Sequence, residues 1–136
     1  RIKREYIALL DGVFKNSSAT IDAPIGRDKQ NREKMAVVED GKSAITHMKV
    51  LKRYKKYTLV SCILETGRTH QIRVHLAYIG YPVHNDPVYS KREADSFGQF
   101  LHSYKMNFIH PITKKEMEFV CPLPAYFQKF LEELEA

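Results

Sequence analysis

The segment from Leu64 to His75, L-E-T-G-R-T-H-Q-I-R-V-H, concentrates the polar side chains whose types and spacing suit chemistry. A β-prone apolar run precedes it, Gly67 interrupts the run, and apolar residues then recur at helical spacing as far as Gly80 and Pro82. This pattern predicts a central strand, a turn and a helix, in that order. Backbone N–H groups at a helix N-terminus, flanked by guanidinium groups, can bind a phosphate or a carboxylate. The candidate binding side chains are Arg68, Thr69, His70, Gln71 and Arg73.

A purely structural interpretation of the same segment stays open. In it, Thr66 or Thr69 caps the helix, and the two arginines are solvated surface residues. The histidines fit this interpretation as well: we expect His70 to hydrogen-bond to the turn and His75 to be satisfied at the edge of the core. Because His70 and His75 are five residues apart, a helix separates them by about 140°, and they cannot ligate one metal from a single face.

A second candidate feature is a cluster of basic residues around the turn from Arg53 to Lys56. It is either a solvated hairpin tip or a patch that binds RNA phosphates. The chain as a whole carries a net charge of +6, and residues 1–56 hold 14 Lys and Arg against 7 Asp and Glu. A basic half favours a polyanionic partner. The residues of the predicted patch are Lys52, Arg53, Lys55 and Lys56.

Length and composition indicate one globular domain, since 136 residues with 43% apolar composition can bury a substantial core. Apolar runs stay well short of the roughly 18 residues of a membrane span, and the N-terminus is charged, so we expect a cytoplasmic protein. Cys62 and Cys121 lack metal-ligand spacing. The pattern predicts an α+β fold, with a mixed, mainly antiparallel sheet, flanking helices and a terminal helix that starts near Pro124.

The Leu64–His75 segment resembles the T-G-R-T-H-Q-I-R-x-H signature of the RluA-type pseudouridine synthases. The following G-Y-P-V-H-N-D-P-V-Y, residues 80–89, is similar to that family's G-x-P-[IL]-x-G-D-x-x-Y continuation. Asn85 stands where glycine is usual, and we expect it to keep the turn because Asn tolerates positive φ. Asp86 is expected to cap or brace this loop. The segment around Tyr6 resembles the family's K-x-Y strand.

This resemblance implies an RNA pseudouridine synthase, which breaks the C1′–N1 bond of uridine, turns the base and rejoins the sugar to C5. The base must leave the stack, so the enzyme needs a pocket, an aromatic platform and cations. The reaction implies an RNA partner, ribosomal or transfer, and no metal, redox cofactor or nucleotide. The family's catalytic aspartate lies in an H-R-L-D-x-x-T-S-G motif, which this sequence does not contain.

Residues 1–136 are therefore expected to be the C-terminal part of a synthase catalytic domain that lacks the upstream segment with this aspartate. Such a fragment is expected to be inactive alone and, if upstream strands are missing, to dimerise through an exposed sheet edge. The resemblance implies that Tyr6 lies against the target base and that Arg73 pairs with the catalytic carboxylate, while Arg68 holds RNA. The two arginine roles can be exchanged. Without its partner, Arg73 is expected to bind an anion or to lack a fixed position.

Two other functions fit the residues. One is a non-catalytic RNA-binding module that uses the same basic face. The other is a small metal-dependent hydrolase built on a cluster of four side chains, which would need stoichiometric metal; we expect no metal in the protein. The four residues are His70, His75, His84 and Asp86.

Overall fold

The computed structural model describes residues 3–90, 94–95 and 98–134. Six strands form the main sheet in the order β2-β5-β6-β1-β7-β8, and all their pairings are antiparallel. This arrangement confirms the α+β fold with a mainly antiparallel sheet. The strands are β1 (Lys3–Asp11), β2 (Ser18–Asp22), β5 (Ile45–Arg53), β6 (Tyr57–Leu64), β7 (Leu101–Ile109) and β8 (Glu116–Val120), and the helices are α1 (Gln71–Tyr78) and α2 (Ala125–Glu133).

The two helices cover opposite faces of the sheet, and the alternation of apolar residues along β1 shows why. Ala8 and Leu10 point into one core cluster with Ile72 and Leu76 of α1. Ile7 and Leu9 point into the other cluster, around Phe127 of α2. Successive side chains of a strand face opposite sides of the sheet, so a strand that is apolar at every position is stable only when both faces are covered. The predicted central position of Tyr57–Leu64 is confirmed, because β6 lies between β5 and β1.

A separate two-stranded sheet, β3 (Ile25–Arg27) and β4 (Met35–Val37), lies beside α1. The turn at Asp40-Gly41 suggests that β4 should pair with β5, but β4 pairs with β3 instead. After the turn the chain returns to β3, where Lys42 forms a β-bridge with Ile25. The backbone of Gly41 lies so close to Ile25 that a Cβ at Gly41 would be 2.6 Å from its backbone. The chain packs against β3 at this point and enters β5 only at Ile45.

None of the helices in the described part of the chain is long and apolar enough to cross a membrane. The edge strands of the six-stranded sheet are β2 and β8. An open edge can pair with another chain, so dimerisation of this fragment stays a prediction.

Candidate active site

The predicted strand-turn-helix unit is present, and the amide of Gln71 organises its turn. Gln71 is buried, and its Oε1 accepts hydrogen bonds from Thr66 Oγ1 at 2.7 Å and from the Arg68 N–H at 3.0 Å. Its Nε2 donates to the Ile45 carbonyl and to Thr46 Oγ1, both at 3.0 Å. The amide is thus fully used inside the protein. Gln71 was predicted to bind RNA; the structure places it as the internal support of the turn instead.

The structural alternative in which Thr66 or Thr69 caps the helix is contradicted by the structure. The residue at the N-cap position of α1 is His70, in the left-handed conformation with φ 56°, and its side chain makes no capping hydrogen bond. Thr66 accepts from the Ile45 N–H at 3.1 Å and thereby ties the turn to β5. The predicted hydrogen bond from His70 to the turn is also absent, since His70 Nδ1 lies 2.8 Å from the hydroxyl of Tyr89.

Arg73 points into the protein and forms a two-pronged ion pair with Asp86. Its Nε donates to Asp86 Oδ2 and its Nη2 to Asp86 Oδ1, each at 2.8 Å. The Asp86 side chain is fully buried and that of Arg73 is 10% exposed. The hydrogen bond to Asp86 raises the pKa of Arg73. The expectation that Arg73 lacks a partner in this chain was wrong, because the loop after α1 supplies one.

Asp86 braces its own loop as well, which confirms the expectation from sequence. Its Oδ1 accepts from the N–H groups of Val88 at 2.9 Å and Tyr89 at 3.1 Å. Burial acts to raise the pKa of Asp86, but the hydrogen bonds from Arg73 and from these two amides outweigh it and lower the pKa below its ordinary value. Asn85 adopts the positive φ expected of it, 63°, and so lets the loop turn toward α1.

An open cleft of about 500 Å³ brings several of the predicted residues together. Tyr6 from β1 and Arg73 from α1 both line it. The ring of Tyr89 packs over the Arg73 guanidinium, 5.1 Å from ring centroid to Cζ. A half-buried tyrosine and a held guanidinium therefore face one space large enough for a small ligand, since such clefts span roughly 300–1,000 Å³. Of the predicted residues, Tyr6, Arg68, His70, Gln71 and Arg73 line this cleft.

Thr69 and the basic hairpin tip do not line the cleft. Thr69 lines a second groove that adjoins the cleft at Gly67 and Arg68. The basic tip is at the start of β6, whereas the cleft is at its end, and the eight residues of that strand span roughly 23 Å. The structure thus does not bring the tip into the cleft. The residues of the tip are Lys52, Arg53, Lys55 and Lys56.

Arg53 in that tip has an internal role. Its Nε donates to the Phe14 carbonyl at 2.7 Å, and its Nη2 donates to the carbonyls of Lys15 and Asn16. Three carbonyl acceptors fix this guanidinium against the loop after β1. Lys52 lies over the ring of Tyr54, 5.0 Å from its centroid. An RNA contact at the tip would therefore depend mainly on the lysines.

The four side chains of the metal-hydrolase hypothesis are engaged separately. His70 contacts Tyr89, His84 Nδ1 lies 2.9 Å from Asp11 Oδ1, and Asp86 holds Arg73. His75 is fully buried, 2.9 Å from the Ala23 carbonyl through Nε2. Among residues 3–90, 94–95 and 98–134, no three His, Cys, Asp or Glu side chains are grouped so that they could hold a metal ion.

His75 is satisfied as predicted, and its hydrogen bonds fix one protonation state. Because a carbonyl only accepts, Nε2 carries the proton, and Nδ1 accepts from Thr46 Oγ1 at 2.8 Å. Thr46 Oγ1 in turn accepts from Gln71 Nε2. A second proton on Nδ1 would turn this acceptor into a donor and take it away from the Thr46 hydroxyl proton. Burial lowers the pKa of His75 accordingly.

We therefore expect the free energy of unfolding to fall as the pH drops below about 6.5, the ordinary histidine pKa. Below that value the unfolded chain binds a proton at His75 while the folded chain does not, and the loss continues until the pH reaches the depressed folded pKa. Urea unfolding between about pH 7 and pH 5, combined with NMR titration of the His75 ring, measures this effect. An ordinary midpoint for His75 in the folded protein would contradict it.

Sequence inspection missed three contributors to the site. Arg4 lines the cleft beside Tyr6, and the spacing of two residues on a strand could have revealed it. Gln99 also lines the cleft, from a segment with no pattern that points to it. Tyr89 was part of the recognised loop motif, but its contacts with Arg73 and His70 depend on how the loop folds back.

Comparison with known proteins identifies the family to which the chain is similar. Residues 1–78 match the sequence profile of the family described as RNA pseudouridylate synthase. The chain is 49% identical over 134 residues to the uncharacterised RNA pseudouridine synthase YlyB of Bacillus subtilis, covering 98% of this chain and 44% of that protein. It is 43% identical over 140 residues to the ribosomal large subunit pseudouridine synthase D of Pseudomonas aeruginosa, covering 93% and 43%. The chain thus spans less than half the length of these relatives.

Solved structures show the same likeness. Human RNA pseudouridylate synthase domain containing 1 superimposes with a TM-score of 0.81 at 30% identity, covering 90% of this chain and 55% of that one. The profile match extends over more than half of the chain, from the strand with Tyr6 through helix α1 with Arg73. On this evidence the chain belongs to the RNA pseudouridylate synthase family.

Proposed function

We propose that this chain is the C-terminal part of an enzyme that isomerises uridine to pseudouridine in RNA. The observation that carries the proposal is the cleft that Tyr6 lines together with Arg73, whose guanidinium is fixed in place by Asp86 and Tyr89. An aromatic ring and a held cation are what an extruded uridine requires beside the reacting group. The proposal also rests on the family membership of the chain.

In this proposal the catalytic aspartate comes from the upstream part of the full-length protein. Asp86 takes two donors of Arg73, Nε and one N–H of Nη2. A guanidinium has five N–H donors, so three are left for a second carboxylate. A carboxylate held there stays ionised, which suits either attack on the sugar or stabilisation of the departing base. The fragment alone is then inactive.

Ribosomal RNA is the substrate class we favour over transfer RNA, because relatives such as the Pseudomonas aeruginosa protein are named for the large ribosomal subunit. A cytoplasmic location would follow from such a substrate. The lysines of the hairpin tip, Lys52, Lys55 and Lys56, would act as a remote phosphate contact rather than as part of the uridine site. Dimerisation through a sheet edge stays a proposal for the isolated fragment only.

The direct test is to incubate the full-length protein with unmodified large-subunit ribosomal RNA and to measure pseudouridine by mass spectrometry. We expect product from the full-length protein and none from residues 1–136. RNA binding by the full-length protein without product would instead support the alternative of a non-catalytic RNA-binding module. Product from residues 1–136 alone would overturn the need for an upstream aspartate.

A further inference from the structure

Gly67 is the one glycine of this chain that the fold does not require. The chain has six glycines, and all lie in the described residues. Gly12, Gly80 and Gly98 have positive φ, and a Cβ at Gly26 or Gly41 would lie within 2.8 Å of neighbouring atoms. Gly67 has neither a positive φ nor any atom within 4 Å of a Cβ built on it. Its own packing and conformation therefore do not explain why it is glycine.

The position of Gly67 suggests another reason. It lines both the uridine cleft and the second groove, of about 460 Å³, and so forms the ridge where the two spaces meet. The ridge is held firmly, since the Gln71 amide binds the residues on either side of it, Thr66 and Arg68. Glycine allows the backbone to approach a ligand closely. A side chain at this point would project into any ligand that lies across both spaces.

The second groove carries a charge suited to a phosphate backbone. Arg27 and Lys42 line it, and Arg68 lines both spaces. Within the described part of the chain, the side chain of Arg68 donates only through Nε, to the Ser43 carbonyl at 2.7 Å, so its terminal nitrogens are available to a ligand. One acidic residue, Asp40, also lines the groove and lies 3.4 Å from Lys29. Three cations against one paired carboxylate leave the groove positive.

We propose that the RNA strand crosses the Gly67 ridge, so that the nucleotides next to the target uridine lie in this second groove and their phosphates contact Arg68, Lys42 and Arg27. The inference rests on the proposed function for the identity of the ligand, and it extends that function to the path of the flanking strand. It assigns a role to Lys42 and Arg27, which do not line the uridine cleft, and gives a reason for glycine at position 67.

The test uses the full-length protein and two probes: a labelled oligouridylate of about ten nucleotides and uridine 5′-monophosphate. We expect Gly67→Val to weaken oligouridylate binding about tenfold, because the added side chain blocks the crossing while the remaining phosphate contacts persist. Gly67→Ala should weaken it less. Binding of uridine 5′-monophosphate, which does not reach across the ridge, should weaken much less than oligouridylate binding. The melting temperature should not change, since no neighbouring atom lies within 4 Å of the new Cβ.

Charge is tested with a matched pair of lysines. Lys42→Ala should lower the slope of log affinity against log salt by about 0.7, the value for one lost phosphate contact on a single strand. Lys49→Ala is the control: Lys49 is exposed on β5 and follows Met48, which points into the α1 core cluster, so it faces the other side of the sheet. The slope of log affinity against log salt for Lys49→Ala should stay at the wild-type value.

Three outcomes overturn the inference, each in a distinct way. Equal losses for both probes would place the effect of Gly67 inside the uridine cleft. A lower melting temperature of Gly67→Val without RNA would show that the upstream protein segment, not RNA, packs on the ridge. Unchanged oligouridylate affinity in Gly67→Val would exclude the crossing while leaving the synthase assignment intact. Conversely, the expected binding results in a protein that forms no pseudouridine would overturn only the proposed function.

Discussion

We expect Arg73→Lys in the full-length protein to lower kcat for pseudouridine formation about 10²- to 10³-fold, the loss found when one preorganised electrostatic donor is removed. A lysine keeps the positive charge, but its ammonium is a point charge without the flat, forked donor geometry of a guanidinium. Arg73 uses one edge for Asp86 and is proposed to present its remaining donors to the upstream aspartate. An ammonium cannot hold both carboxylates in the same geometry.

The same assay separates the roles of the two arginines, which the sequence leaves interchangeable. Arg68 lies on the ridge, and within the described residues its side chain is anchored through Nε to the Ser43 carbonyl. We expect Arg68→Lys to raise KM while kcat changes little, since its proposed contact is the same in the ground and transition states. Loss of kcat in Arg68→Lys together with wild-type turnover in Arg73→Lys would reverse the two assignments.

Helix geometry indicates from the sequence alone that the Arg73 side chain can reach inward. Residue 73 lies about 60° from Leu76 on an ideal helix, at the border of the apolar stripe, and the structure shows a side chain that is buried but reaches the cleft. The place of Arg73 follows from local periodicity, which tertiary contacts seldom override within regular elements. The place of Tyr6 was expected only from the resemblance of its strand to the family motif.

The hydrogen-bond partners of buried polar side chains were harder to predict. The sequence shows that Gln71 has two donors and two acceptor positions, but not that Thr46, Ile45, Thr66 and Arg68 supply partners for all of them. Gln71 was therefore counted among the RNA contacts. The partner of Arg73 was missed for a similar reason, because Asp86 reaches it only after the loop behind α1 folds back over 13 residues.

The distance between the two basic regions could not be predicted from the sequence either. A basic turn and a basic signature look like one RNA face when the chain is read in order. In the antiparallel sheet, however, β6 separates them by its whole length, since one is at its start and the other at its end. Sequence composition gives net charge, but the direction of each strand decides which charges act together.

We expect Asp86→Ala to lower the free energy of unfolding by about 3–5 kcal/mol, the cost of leaving one partner of a buried ion pair alone. The substitution strands the guanidinium of Arg73, whose side chain is only 10% exposed, and removes the acceptor of two loop N–H groups. Urea unfolding of residues 1–136 measures the loss. The surface pair Lys105–Glu118, at 3.1 Å, is the matched control, and Glu118→Ala should cost at most about 1 kcal/mol.

A double-mutant cycle with Arg73→Met distinguishes the cost of the stranded charge from general loop damage. Adding Arg73→Met to Asp86→Ala should recover much of the stability, because an apolar side chain replaces the uncompensated cation. Asp86→Asn gives an independent check by pH. Because the pKa of Asp86 is depressed in the folded protein, its carboxylate stabilises the fold at pH values above about 3.9, the ordinary aspartate pKa. This stabilisation is lost as the pH falls through the folded pKa. The acid limb of the stability curve should therefore be shallower in Asp86→Asn, and additive losses in the double variant would refute a coupled Arg73–Asp86 unit.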